Sequence, residues 1–295
     1  MTLYRNWFLA SRPWSFFMSA ISVSVGAAQA ATDGSFSWLL YLVTLFGIVI
    51  LHAATNLIND YYDILSGVDY RETSTAQYRP HPLLEGKLRP EQVKKGAWIL
   101  YGVTALIGVY LTALRGWPIL WLGLIGLIAS LTYTGPPFKY KYKALGEFSV
   151  FLMWGPLMVE GAYYVQRQVF SREAFWISLP FGILVALVLL INNTRDIRHD
   201  RKKDIVTLPF LIRQSNGLRL YIVLVMLSFL SVISMSVFGP LDCWSLMVLL
   251  SLPLAIRLFK QMLREIPLDA DAQTAKLDTV FGVLLVLSFI PGGYF

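Results

Sequence analysis

Asn56-Leu57-Ile58-Asn59-Asp60-Tyr61-Tyr62-Asp63 closes an apolar run that begins at Ser37, and it leads on to Ser66-Gly67-Val68-Asp69. No Asp, Glu, Lys or Arg interrupts that run before Asp60. It therefore has the length and character of a membrane-spanning helix. On such a helix Asn56, Asp60 and Asp63 fall at i, i+4 and i+7, on one face. Carboxylates at a membrane boundary are costly unless something uses them. Asp and Asn also mark ordinary solvated helix ends, so this stretch alone leaves both readings open.

A second stretch weighs for use. Asn192-Asn193-Thr194-Arg195-Asp196-Ile197-Arg198-His199-Asp200 closes another apolar run, Phe175 to Ile191. Asn192, Asp196 and Asp200 again share a helical face, at i, i+4 and i+8. Two such sites in matching positions point to a pair of helices facing one polar cavity. They also suggest two related four-helix units in the same orientation, with a ninth helix added.

The rest of the chain fits a membrane bundle. Of its 295 residues, 56% are hydrophobic and 15% charged, against about half and a quarter in soluble domains. Nine windows of roughly twenty residues read as spans, at about 14–31, 37–59, 94–114, 117–134, 146–166, 174–194, 218–238, 243–260 and 277–294. All residues 1–295 then form one all-α domain. The connections after the second and sixth spans, 60–93 and 195–217, mix apolar and basic residues and read as short helical caps over a cavity mouth.

Charge sets the orientation. With nine spans, 22 basic residues fall on the side of the N-terminus and both acidic motifs, and only Arg115, Arg167 and Arg172 on the other. The positive-inside rule makes the first side cytoplasmic and puts Phe295 on the far side. The net charge of +7 is thereby explained without nucleic acid. A lone Cys243 excludes an internal disulfide, and His52, His81 and His199 are too scattered to suggest zinc or haem.

Asp60, Asp63, Asp196 and Asp200 crowded at one mouth need cations. Carboxylate and carboxamide oxygens select hard ions, Mg²⁺ above all, which takes phosphate oxygens as further ligands. Arg12, Lys139, Lys141, Lys143, Arg195 and Arg198 ring the same side. Acid, base and Mg²⁺ together describe a diphosphate clamp above an apolar cavity for a hydrocarbon tail. An allylic diphosphate would ionise there, aromatic faces would hold the cation, and an electron-rich ring would attack it.

Asn56–Asp69 and Asn192–Asp200 resemble the two aspartate-rich motifs of the UbiA superfamily of membrane prenyltransferases. Arg12-Pro13-Trp14-Ser15 resembles its entry to the first helix. Arg79-Pro80 through Leu84-Glu85-Gly86-Lys87-Leu88 resembles the segment after its first motif, and Tyr133-Thr134-Gly135-Pro136-Pro137-Phe138 its fourth-helix end. The branch that prenylates 1,4-dihydroxy-2-naphthoate in menaquinone synthesis is most similar. The resemblance implies an all-helical nine-span fold, Mg²⁺, a polyprenyl diphosphate and an aromatic acceptor, in a prokaryotic plasma membrane. No obligatory protein partner is evident. Other acceptors, such as 4-hydroxybenzoate or homogentisate, and a cation-coupled transporter are the competing readings. One departure stands out: Asp204-Ile205 occupies the place where the branch usually has Gly-Lys, with Lys202 and Lys203 close by.

The expected roles follow. Asp60, Asp63, Asp196 and Asp200 hold metal, and Asp69 adds a ligand from the loop beyond Gly67. Asn56 and Asn192 orient the diphosphate or a metal-bound water, or else bond between helices. Arg12, Lys139, Lys141, Arg195 and Arg198 contact diphosphate or lipid headgroups. Tyr133 meets phosphate or the cation, or packs at the interface.

Overall fold

The computed structural model describes residues 3–70, 73–203 and 205–290. These form thirteen α-helices: α1 Leu3–Ala10, α2 Phe16–Thr32, α3 Trp38–Leu65, α4 Ser74–Tyr78, α5 Pro90–Arg115, α6 Trp117–Thr134, α7 Gly146–Leu152, α8 Met158–Arg167, α9 Arg172–Asp200, α10 Leu208–Ile212, α11 Gln214–Phe238, α12 Leu252–Met262 and α13 Ala270–Leu287. Among the described residues there is no strand, only a parallel bridge between Lys143 and Val206. Seven stretches are long and apolar enough to cross a membrane: Leu3–Thr32, Trp38–Leu65, Pro90–Arg115, Trp117–Thr134, Arg172–Asp200, Gln214–Phe238 and Cys243–Met262.

The departures from the nine windows have identifiable causes. α2 matches the first window, but an unexpected α1 precedes it, and the stretch Leu3–Thr32 is broken at Arg12, whose backbone is left-handed. The window 146–166 is split by a π segment, Met153–Leu157, around Gly155 and Pro156, because proline removes a helical donor. Cys243–Ser251 opens its span as a 3₁₀ helix. The last helix begins at Ala270, seven residues before the expected 277, because Asp271 finds partners. α3 and α9 likewise run on through their acidic motifs to Leu65 and Asp200, since those side chains are paired rather than solvated.

In a bilayer, helices associate by close packing and hydrogen bonds, not by escape from water. α3 packs on α5, α9 on α11, and α2 on α8. Gly26 makes the last contact possible: a Cβ there would sit 2.1 Å from the Val159 carbonyl oxygen. The main core gathers Phe181, Leu184, Leu187, Tyr221, Phe229, Phe281 and Leu285 from α9, α11 and α13. α5 and α6 instead turn large apolar side chains outward, Trp98, Leu106, Trp117 and Trp121 among them.

Candidate active site

A cavity of about 970 Å³ runs between α2, α3, α5, α6, α8, α9 and α13. Its wall is mainly apolar, with Ile48, Leu51, Ile107, Leu122, Met153 and Leu189 as examples. Polar groups collect at one end, where Arg12, Asn56, Asp63, Asp69, Tyr78, Arg79, His81, Tyr133, Lys141, Asn192 and Asp271 line it. The first motif reaches this cavity through Asn56, Asn59, Asp63 and Asp69, and the second through Asn192.

The first motif is tightly held. Asp60 is 2% exposed and pairs with Arg12. Arg12 aims there from a left-handed backbone, φ 55, a conformation that costs a non-glycine residue about 1–3 kcal/mol. Asp63, also 2% exposed, accepts from Lys141 Nζ at 2.8 Å and from the Tyr142 hydroxyl. Gly67 turns the chain back with φ 64, a region open to glycine at little cost. The Val68 and Asp69 amides then bond the Asp63 carbonyl at 2.8 and 3.2 Å, and Asp69 swings to the Asp60 side. His81 completes the group: its Nε2 lies 3.6 Å from Asp69 and 3.9 Å from Asp60.

Electrostatics follow from this company. Burial works against the Lys141 charge, but Asp63 and then Tyr142 and Asp69 outweigh it and hold the ammonium above its ordinary value. Burial pushes the Tyr142 hydroxyl up, with Asp63 adding to the rise against the pull of Lys141. Burial would raise the Asp69 carboxyl too, yet His81, Lys141 and Arg12 together keep it below the usual aspartate value.

The second motif is engaged differently. Asp196 receives Arg195 Nε at 2.9 Å and Nη2 at 2.8 Å, and Ser74 Oγ at 2.7 Å. Arg195 also reaches Asn192 Oδ1 at 2.6 Å and Asp271 Oδ1 at 2.9 Å. Asp271 in turn accepts from Tyr78 and Arg79, each at 2.5 Å. The segment after the first motif is thereby fastened to α9 and α13. Asp200 is buried, with Thr207 Oγ1 3.5 Å away. The Lys143–Val206 bridge joins the strip carrying Lys141 to the segment after Asp200, with Ala144 N to Val206 O at 2.7 Å and Val206 N to Tyr142 O at 3.2 Å.

The structure does not bring every expected residue to the cavity. Asp60, Asp196, Asp200 and Arg195 do not line it, Lys139 is half-buried outside its wall, and Arg198 is exposed. Asn56 donates to Ser11 O at 2.9 Å and Ser15 Oγ at 3.1 Å, an interhelical bond. Tyr133 lines the wall, its ring 5.8 Å from Lys141 Nζ. His199 binds the Tyr70 hydroxyl at 2.7 Å. Asp204 and Phe295 lie outside the described residues, as does the side chain of Lys202. Asp271, Tyr78, Arg79 and His81 were not singled out from sequence as site residues. Only the Arg79-Pro80 segment carries a signal in the sequence; Asp271 falls before the expected last span, 277–294.

Donor chemistry favours a divalent cation. Asp60, Asp69 and His81 offer ligand atoms within 4.8 Å of one another. His81 Nε2 is buried without a hydrogen-bond partner, aimed at the two carboxylates. Among the described residues Asp63, Asp196 and Asp200 stand outside that tight group. Two carboxylates beside one imidazole form a donor set that a divalent cation can take.

Fold and site together define a polytopic, all-helical membrane protein whose charged groups crowd one end of an apolar cavity. The chain belongs to the UbiA prenyltransferase family, whose model matches residues 19–285, and it is accordingly a transferase of prenyl groups. It is 28% identical over 284 residues to the 1,4-dihydroxy-2-naphthoate octaprenyltransferase of Bacillus subtilis (strain 168), covering 95% of this chain and 90% of that one. It is 32% identical over 292 residues to UbiA prenyltransferase domain-containing protein 1 of Xenopus tropicalis, covering 97% and 82%. The structure of a UbiA homolog from Archaeoglobus fulgidus bound to GPP and Mg²⁺ superposes with a TM-score of 0.62 at 14% identity, over 96% of this chain and 99% of that one. It shares the fold.

Proposed function

We propose that the protein transfers a polyprenyl group from an allylic diphosphate to 1,4-dihydroxy-2-naphthoate, with Mg²⁺ at the aspartate motifs. The observation that carries this reading is that Arg12, Lys141, Asp63, Asp69 and Asn192 all line one long, mainly apolar cavity, with Asp60 paired to Arg12 and Arg195 bonded to Asn192 just behind its wall. Asp60, Asp63, Asp69, Asp196 and Asp200 would hold the metal. Bound Mg²⁺ supplies positive charge that offsets the charge gathering on the departing diphosphate. Arg12 and Lys141 grip the diphosphate from opposite sides of the first motif, and Arg195 and Arg79 steady the second. Tyr133 and Trp154 present aromatic faces along the cavity for the allylic cation. The apolar wall keeps water from it. The ring carbon of the acceptor then bonds to the cation, and the acceptor's carboxyl leaves as carbon dioxide.

The acceptor is drawn from the Bacillus relative. The similar identity to the Xenopus protein supports keeping other aromatic acceptors in the comparison. Nine spans, with caps at 60–93 and 195–217 and the mouth on the cytoplasmic face of a prokaryotic membrane, belong to the same proposal; the charge asymmetry supports it. Family membership sets the transporter reading aside. A radiolabelled polyprenyl diphosphate offered with 1,4-dihydroxy-2-naphthoate, with Mg²⁺ or with EDTA, tests it. The expected result is a prenylated naphthoquinol formed only with metal. Product with another acceptor alone moves the assignment within the family, and product undiminished by EDTA sinks the metal role.

A further inference from the structure

His52 lies on α3 one turn before Asn56, 8% exposed, in the cavity wall. Both its ring nitrogens are engaged. Ser19 Oγ is 2.8 Å from Nδ1, and Ser15 Oγ is 3.2 Å from Nε2. The partners' other bonds decide which nitrogen carries hydrogen. Ser15 Oγ donates its one hydrogen to the Arg12 carbonyl at 2.8 Å. It must therefore accept from His52 Nε2–H, as it accepts from Asn56 Nδ2 at 3.1 Å. Trp154 Nε1 donates to Ser19 Oγ at 3.1 Å, which leaves the Ser19 hydrogen for Nδ1. His52 is the neutral Nε2–H tautomer, and its lone pair at Nδ1 is already used. It has no free base function to offer an acceptor.

At the end of these bonds stands Arg12. Its backbone is left-handed, φ 55 and ψ 60. Its carbonyl receives both the Ser15 hydroxyl at 2.8 Å and the Ser15 amide at 2.9 Å. Its guanidinium meets Asp60. A turn this unfavourable persists only where the surroundings over-determine it. Here Ser15 is the clamp, and His52 and Asn56 hold Ser15.

We propose that His52 is a positioning residue: through Ser15 it fixes the Arg12 turn, and so aims the guanidinium that grips the substrate's diphosphate. This rests on the prenyl diphosphate reading of the cavity mouth. Two substitutions divide the ring's functions. His52→Gln carries a terminal N–H toward Ser15, where Nε2 stood. His52→Asn keeps an acceptor toward Ser19 and reaches Ser15 with nothing.

The test measures binding of radiolabelled geranyl diphosphate with Mg²⁺ to purified protein, and the KM of the aromatic acceptor. His52→Asn should weaken binding about tenfold, the worth of one buried hydrogen bond, and Ser15→Ala, which removes three, by at least as much, while His52→Gln stays within about threefold of the parent. The acceptor's KM should not move. Equal losses in His52→Asn and His52→Gln would show that the ring only fills space against Phe16 and Trp154, and overturn the proposal. A change confined to the acceptor's KM overturns it as well. A ligand-free readout separates it from the diphosphate reading. The Tm losses of His52→Asn and Ser15→Ala should fall short of adding in the double variant, and additive losses overturn the relay. A parent chain that binds no prenyl diphosphate while the losses still do not add retires the diphosphate reading and leaves His52 holding the Arg12 turn.

Discussion

Asp60 and Asp196 occupy matching places in their helices but keep different company. Asp60 faces Arg12 and His81 in a nearly sealed pocket, whereas Asp196 is spanned by its own neighbour Arg195 and capped by Ser74. An amide at either position removes the charge that a cation needs and keeps one accepting oxygen, though at Asp196 the second oxygen, which accepts from Arg195 Nη2, is lost as well. Asp60→Asn and Asp196→Asn should each lower kcat by at least about 100-fold, the scale of losing one charge-stabilising group. Both variants should still unfold in one cooperative transition, with a fall in Tm smaller than that of Lys141→Met, because Arg12 is partly exposed and Arg195 keeps Asp271. Activity retained in either variant with Mg²⁺ present would remove that residue from the metal set. Lys141 differs, because Asp63 is buried at 2% exposure against it. Lys141→Met leaves a buried charge short of its partner and should cost about 3–5 kcal/mol of stability, read as a fall in Tm.

At the scale of elements, α4 and the turn after it are fastened mainly through Asp271. Tyr78 and Arg79 both end on that carboxylate, and Arg195 joins it to α9. Asp271→Ala should free residues 74–89 while α3 and α9 stay in place. Amide exchange there should quicken about tenfold to hundredfold, as the loss of one or two net hydrogen bonds implies. Unchanged exchange would mean that the segment is held by its other contacts. The meeting of α2 with α8 gives a second prediction. Gly26→Val must push against the Val159 carbonyl. Overpacking of this kind costs about 1–3 kcal/mol, which a thermal melt detects.

Across the whole molecule, apolar length and two spaced motifs were enough to expect an all-helical membrane bundle with one cavity, because both properties are local in sequence. Neither predicts where the chain bends. The Arg12 turn and the early start of α13 have partners far away in sequence: Asp60 for Arg12, and Tyr78 and Arg79 for Asp271. His81 escaped notice for the same reason, since only folding carries it to Asp60 and Asp69. Orientation is testable at this scale. With Cys243 replaced by Ser, single cysteines at Lys87 and at Arg115 should label from opposite faces of sealed inverted vesicles, Lys87 from outside. Labelling of both from one face would overturn the nine-span topology.

The apolar cavity, walled by helices that turn tryptophan and leucine outward, has a kinetic corollary. A substrate with a long hydrocarbon tail reaches such a catalyst by travelling within the sheet of lipid, so its effective abundance is counted per unit of area and not per litre. Adding inert phospholipid at constant bulk substrate should slow turnover, as diluting a dye thins its colour. Stirring more buffer into the same vesicles should leave the rate per enzyme untouched.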